Sequence, residues 1–351
     1  MSKRVPDRQP PPVHPKSTVP PPDSDARIRT MKASYLQAWL YFFLVVSLLV
    51  AWWVPFHIWM LRKAAQRAQD RGPLDSYSFL ALSYAGISDQ PREVSPERFR
   101  EHIEALKARG YVTITLEEAR RLIYEGRPVP RGALLMTFDQ SRKSSYFDAR
   151  SVLRRAGYHG VMFIWTRPIL EGEPSSLRWP YVRRMLRVGG WEIGAQSHDG
   201  FSLVPADAGG GEGHFLTTPR WLAADQRYET LEQYAGRLAA DHMQCLDIIE
   251  KQTGTRPRAF AFPYGDFGQY DDKAVLTRRL NLDLVGQQYD LGFVLGSAAL
   301  NTRDSDPRHL TRLMVQPDWT AEELVQRLRL AIDLHAQPTA RLVHQVDRLV
   351  R

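Results

Sequence analysis

Cysteine is almost absent: Cys245 alone in 351 residues excludes an internal disulfide and any zinc module built on paired cysteines. No repeat recurs at a fixed period, which argues against solenoid and propeller architectures. Charge of one sign is not concentrated either. The 47 Lys+Arg and 39 Asp+Glu are interspersed, and a formal net charge of +8 without a long basic block does not describe a nucleic-acid binder. Large apolar residues are scarce at the N-terminus, where residues 1–22 hold eight of the 24 prolines. That head cannot bury a core, so residues 1–34 are expected to form a disordered, Pro-rich basic tail.

Lysine, arginine, aspartate and glutamate are all missing from Ala38–Leu61. At about 1.5 Å per residue this stretch gives roughly 36 Å of helix, enough to cross a hydrocarbon layer of about 30 Å. Trp39, Tyr41, Trp52, Trp53 and Trp59 sit toward its ends as interfacial belts do, and Pro55 is placed to kink its last turns. The run starts too late, and is too long, for a cleaved signal peptide. A single transmembrane anchor is therefore expected at 35–62, followed by a linker at 63–75. Basic residues flank both ends (Arg27, Arg29 and Lys32; Arg62, Lys63, Arg67 and Arg71), so local charge does not choose the orientation, although the longer basic tail favours an inside N-terminus.

From residue 76 to 351 strand-like and helix-like segments alternate. Apolar, β-prone runs at 79–84, 133–139, 160–165, 191–196, 258–263, 293–297 and 310–316 predict seven strands. Between them, Ser95-Pro96 reads as an N-cap with proline at the first helical position, and Thr115/Glu118 and Thr320/Glu323 have capping-box spacing. A long helix is expected over 228–251, with Cys245 packed in the core and His242 and His335 as partly exposed helix residues. This alternation argues for one α/β domain, an open parallel sheet or a barrel.

Functional side chains of such folds collect at the C-terminal ends of strands. Three ends are conspicuous: Asp139-Gln140-Ser141 after ALLMTF, Gln196-Ser197-His198-Asp199 after WEIGA, and Pro263-Tyr264-Gly265 after RAFAF. With LLMTFDQS at 134–141, Phe262-Pro263-Tyr264-Gly265, Leu82-Ser83-Tyr84 and the helix–strand–helix pattern of 95–119, the sequence resembles the polysaccharide deacetylase family, the NodB-type carbohydrate esterases. It is most similar to the branch of biofilm poly-β-1,6-N-acetyl-D-glucosamine N-deacetylases, and the likeness runs over about residues 76–320. The resemblance implies a distorted (β/α) barrel of about seven strands, NodB-type, here preceded by the transmembrane helix.

It also implies a metal-dependent amide hydrolysis, in which a divalent ion such as zinc is held by one aspartate and two histidines while a second aspartate acts as base. Matched motif by motif, the catalytic base falls on Asp139, and Pro263, Tyr264 and Gly265 fall in the substrate-binding motif. The three metal positions fall on Gln140, Gln196 and Phe201, and a further first-strand histidine on Ala85. Two amides and a phenyl ring do not replace a carboxylate and two imidazoles around such an ion, so no metal cofactor is expected. A relocated site is conceivable from Asp139 with His198, Asp199 and His214. His198-Asp199 also reads as a polar pair capping a strand end, and Asp139 as a structural acceptor for the amides of the next turn. Trp165, Trp221 and Tyr264 are candidate stacking faces for a sugar.

The expectation that follows is a membrane-anchored, degenerate deacetylase-like protein. It would bind or position a poly-N-acetylglucosamine-type exopolysaccharide, with its C-terminal domain on the extracytoplasmic side of a bacterial inner membrane. Two alternatives stay open: an active N-deacetylase with displaced ligands, and a non-catalytic partner subunit of a glycan synthase complex.

Overall fold

Seven of the β-prone runs become consecutive parallel strands in the structure, a computed structural model. They are β1 (Ser78–Tyr84), β2 (Ala133–Phe138), β3 (Gly160–Ile164), β4 (Trp191–Ala195), β5 (Ala259–Ala261), β6 (Leu291–Leu295) and β7 (Leu310–Met314). Each pairs in parallel with the next. The ring closes because β7 pairs in parallel with β1, Leu82 opposite Leu313 and Ser83 opposite Met314. The architecture is therefore a closed seven-stranded parallel barrel, which settles the choice between barrel and open sheet. Its distortion has a visible cause at β1. The first half of one β1 edge is taken by the antiparallel strand Leu300–Thr302, so β7 reaches only the second half. A short strand, Val112–Thr113, extends the sheet beside β2.

The structure describes residues 74–270 and 274–336, together with 39, 42–47, 51–53, 55–57 and 59–60, which are helical. Among the described residues no helix is long and apolar enough to cross a membrane. The expected tail at 1–34, nearly all of the linker at 63–75 and much of the expected anchor at 35–62 lie outside the described residues.

Among the described residues of the domain, eight helices surround the barrel: α1 (Pro96–Ala108), α2 (Leu116–Glu125), α3 (Lys143–Ala156), α4 (Thr166–Glu171), α5 (Trp179–Val188), α6 (Leu231–Thr253), α7 (Val275–Gln288) and α8 (Ala321–Ala336). The cap signals act as their chemistry requires. Ser95 accepts from the Arg98 amide, and Thr115 and Glu118 form a reciprocal capping box. The helix expected from 228 starts at Leu231 instead. Arg227–Tyr228 pairs with Trp221–Leu222, and Thr230 forms a capping box with Gln233.

Strand alternation sorts the core into two layers. On β1, Phe79 and Ala81 face the barrel interior with Leu135, Val161, Phe163, Phe293 and Leu310. Leu80, Leu82 and Tyr84 point outward to meet helix residues such as Phe99, Ile103 and Leu106. Gly194 is needed inside, because a Cβ there would lie 2.3 Å from the Phe163 ring.

One expectation is corrected. His242 on α6 is fully buried, not partly exposed, with Nδ1 3.3 Å from the Tyr289 hydroxyl and its ring against Phe260. It lies one helical turn from the buried Cys245, on the face α6 turns to the core. Burial pushes the His242 pKa from 6.5 down to about 4. The unfolded chain therefore takes up this proton near pH 6.5 and the folded one near 4. Stability from this group is full above pH 6.5 and falls by about 3 kcal/mol as the pH drops toward 4. Urea unfolding at pH 7 and pH 4.5 should show that loss in the wild type and a smaller one in His242→Gln, whose side chain cannot titrate.

Candidate functional site

The mouth of the barrel, at the C-terminal ends of its strands, is organised around one buried ion pair. Arg312 on β7 is completely buried inside the barrel, its guanidinium 5.0 Å from the centre of the Phe163 ring. Its Nη1 donates to Asp139 Oδ1 at 2.7 Å and to Thr137 Oγ1 at 2.9 Å, and its Nη2 to Asp139 Oδ2 at 3.2 Å. Ser83 on β1 donates to Asp139 Oδ2 at 3.0 Å. Thus Asp139, the expected base, accepts from side chains on β1 and β7, and both its oxygens are engaged. Arg312 was not singled out in the sequence, although it stands two residues from Leu310 on the inward face of an otherwise apolar strand. An arginine at such a position is almost never fully buried without a partner.

The loops beyond β2 and β4 hold unusual backbone. Gln140 and Ser141 have φ of 61° and 52°, and Ser197 has 71°, left-handed values that side chains other than glycine rarely adopt. Each is fixed from outside. The Gln140 amide donates to Gln196 Oε1 at 2.6 Å, and the Ser141 hydroxyl accepts from the Trp165 amide. Asp241, buried on α6, organises the other loop: it accepts from the Ser197 hydroxyl and from the backbone amides of His198 and Asp199. Burial raises the Asp241 pKa, and those three donors oppose the rise. Its role carried no sequence signal, because it comes from a helix more than forty residues away.

At the three positions where the resemblance places metal ligands, the side chains are otherwise engaged. Gln196 Oε1 accepts the Gln140 amide, Gln140 Oε1 accepts from Arg142 Nη2 at 3.1 Å, and the Phe201 ring packs 4.6 Å from Trp165 and 5.1 Å from Tyr264. Neutral amides already used as acceptors, plus a phenyl ring, do not fit a divalent ion. The residues considered for a relocated site fall in separate networks. Asp139 pairs with Arg312. His198 Nδ1 lies 2.9 Å from the Thr166 hydroxyl, and Asp199 faces Arg167 at 2.8 Å. His214 Nδ1 lies 2.9 Å from Asp266 Oδ2, and the His214 ring stacks on Tyr264. Among the described residues no three of His, Cys, Asp and Glu come together as a metal-binding group.

Pro263 and Gly265 are buried and shape a turn in which Tyr264 takes φ 59°. Gly265 has φ 67°, and a Cβ there would meet Leu295 at 2.7 Å, so only Tyr264 of the three presents a face. That ring is 44% exposed, and its hydroxyl donates to the Phe201 carbonyl. Trp221 packs instead on Tyr228, in the short pairing ahead of α6. Beside Gln140 and Trp165 opens a cavity of about 220 Å³, lined also by Arg142, Pro168, Glu171, Glu173, Ser175 and Ser176. Another, of about 180 Å³, lies where β4, β5 and β6 begin; its Glu117, Arg120, Arg258 and Asp290 already pair with one another.

The polysaccharide deacetylase family model matches residues 126–285. The chain is 21% identical over 290 residues to the poly-beta-1,6-N-acetyl-D-glucosamine N-deacetylase of Escherichia coli K12, covering 78% of this chain and 41% of that protein. It therefore spans about two-fifths of the length of that curated relative. Among solved structures, it superposes on a de-N-acetylase from Aggregatibacter actinomycetemcomitans with a TM-score of 0.62, at 20% identity over 71% of this chain and 99% of the other. It superposes on IcaB from Ammonifex degensii with 0.54, at 19% identity over 73% and 99%. At such identities the structural likeness establishes the fold.

The Arg312–Asp139 pair makes a direct prediction. Arg312→Met leaves a buried carboxylate without its partner and should destabilise the chain by about 3–5 kcal/mol in urea unfolding. Adding Asp139→Asn should recover much of that loss, since no unpaired charge then remains; equal stability of the single and double variants would show that the pair is not what holds the mouth.

Proposed function

We propose that this chain, whose residues 126–285 match the polysaccharide deacetylase family model and which is similar to poly-β-1,6-N-acetyl-D-glucosamine N-deacetylases, binds an N-acetylglucosamine-type polysaccharide without hydrolysing it. The observation that carries this reading is a preserved framework around a changed centre. Asp139 and the Pro263–Gly265 turn stand at the ends of their strands, held there by Arg312 and by local packing, while Gln140, Gln196 and Phe201 fall where the sequence resemblance places metal ligands. Hydrolysis of an acetamide needs a polarised carbonyl and an activated water, and a divalent ion supplies both. Asp139 alone, with both oxygens already accepting hydrogen bonds, supplies neither efficiently. Binding asks less: a ring to stack on and fixed hydrogen-bonding groups, and Tyr264, Trp165 and Gln140 provide these.

The charge-free run at 38–61 supports placing this domain on a membrane by a single span at 35–62. With the basic tail inside, the domain stands on the extracytoplasmic face of a bacterial inner membrane, where exopolysaccharide emerges. A glycan synthase complex is then its natural neighbour.

The full chain in detergent, titrated by calorimetry with β-1,6-linked glucosamine hexamers, both N-acetylated and free, tests the reading. Binding is expected, with no acetate release above blank and far less than one equivalent of metal after equilibration with zinc. Tyr264→Ala should weaken binding about tenfold. Acetate release accompanied by stoichiometric metal would restore the catalytic alternative. Failure to bind either hexamer would leave a partner subunit as the better reading.

A further inference from the structure

Four rings follow one another across the barrel mouth. Trp165 lies 4.6 Å from Phe201, Phe201 5.1 Å from Tyr264, and Tyr264 4.3 Å from His214, each measured between ring centres. None of the four is fully buried. The row is pinned by polar contacts that hold its members without using up their faces. Trp165 Nε1 donates to the His198 carbonyl, the Tyr264 hydroxyl donates to the Phe201 carbonyl, and His214 is held by Asp266. Phe201, which falls where the resemblance places a metal ligand, is the link that makes the row continuous.

At its Trp165 end the row meets the cavity of about 220 Å³. Drug-sized ligands take about 300–1,000 Å³, so this volume suits a single sugar ring. Of the charged side chains that line that space, two are carboxylates, Glu171 and Glu173, and one is a guanidinium, Arg142, although the chain as a whole is basic. Arg142 is paired with Glu93 at 3.1 Å, and Arg167 is shared between Glu171 at 3.0 Å and Asp199 at 2.8 Å. Glu173 has no ion-pair partner among the described residues. The one guanidinium of the lining is thus already answered by Glu93, and Glu173 is left without a counter-charge.

We propose that this cavity and the aromatic row together form a cleft for a hexosamine chain carrying free amines, with one glucosamine ring in the cavity and the next stacked along the row. The inference rests on the glycan-binding reading above and specifies its ligand. An aromatic row takes the apolar face of a pyranose whatever its substituents, so it supplies affinity without choosing between acetylated and free units. The choice comes from the cavity. A ring ammonium beside Trp165 meets a π face and the Glu171 and Glu173 carboxylates, all of which attract a cation. An acetamide at the same place is neutral and offers a carboxylate one N–H donor without the attraction of a full charge. The cleft therefore retains polymer that has already lost its acetyl groups, which places this chain after an N-deacetylation and not at it.

The full chain is titrated by calorimetry with a β-1,6-linked glucosamine tetramer and with its fully N-acetylated counterpart. The free-amine tetramer should bind at least about fivefold more tightly, and Glu173→Gln should abolish that preference by weakening the free-amine tetramer. Phe201→Ala should weaken both tetramers about tenfold, with an unchanged circular dichroism spectrum. Equal or tighter binding of the acetylated tetramer, or a preference that survives Glu173→Gln, overturns this inference while leaving glycan binding standing. Binding of neither tetramer overturns both.

Discussion

A guanidinium buried inside a barrel of phenylalanines and leucines is tolerable only if its charge is answered on the spot, and the contact between Arg312 and Asp139 answers it. The two residues come from β7 and from the end of β2, with Ser83 of β1 and Thr137 of β2 completing the set. Closure of the ring between β7 and β1 is what brings these groups within reach of one another. Packing inside follows from the same charge. Phe163 offers its ring to the guanidinium, and Gly194 leaves the space that the ring needs.

This pair also gives a catalytic-looking carboxylate a structural role of its own. Asp139 carries a structural duty that no neutral residue could discharge without stranding Arg312. Gln140, Gln196 and Phe201 carry no comparable charge, and each has been absorbed into local packing. The Gln196 carbonyl steadies a left-handed residue at 140, and Phe201 joins two neighbouring rings.

The loop after β4 shows a second kind of dependence. Its left-handed Ser197 and the following amides converge on Asp241, so helix α6 dictates where His198 and Asp199 point. Those side chains turn toward Thr166 and Arg167, away from Asp139's network. Two polar residues adjacent in sequence to a strand end are therefore not a site by adjacency alone. Their direction belongs to the element that receives the loop's hydrogen bonds.

Local patterns in the sequence determined a good deal here. The seven strands, the caps at Ser95, Thr115 and Thr320, and the burial of Cys245 were legible, because period, propensity and capping chemistry act within a few residues. That Asp139 and Tyr264 stand just beyond strand ends was legible too. Barrel closure, the burial of His242, the partnership of Arg312 and the command of Asp241 over its loop were decided only by tertiary structure. Arg312 and Asp139 lie 173 residues apart. The worth of such contacts depends on burial and on distances across the barrel, and neither is encoded in the neighbourhood of either residue along the chain.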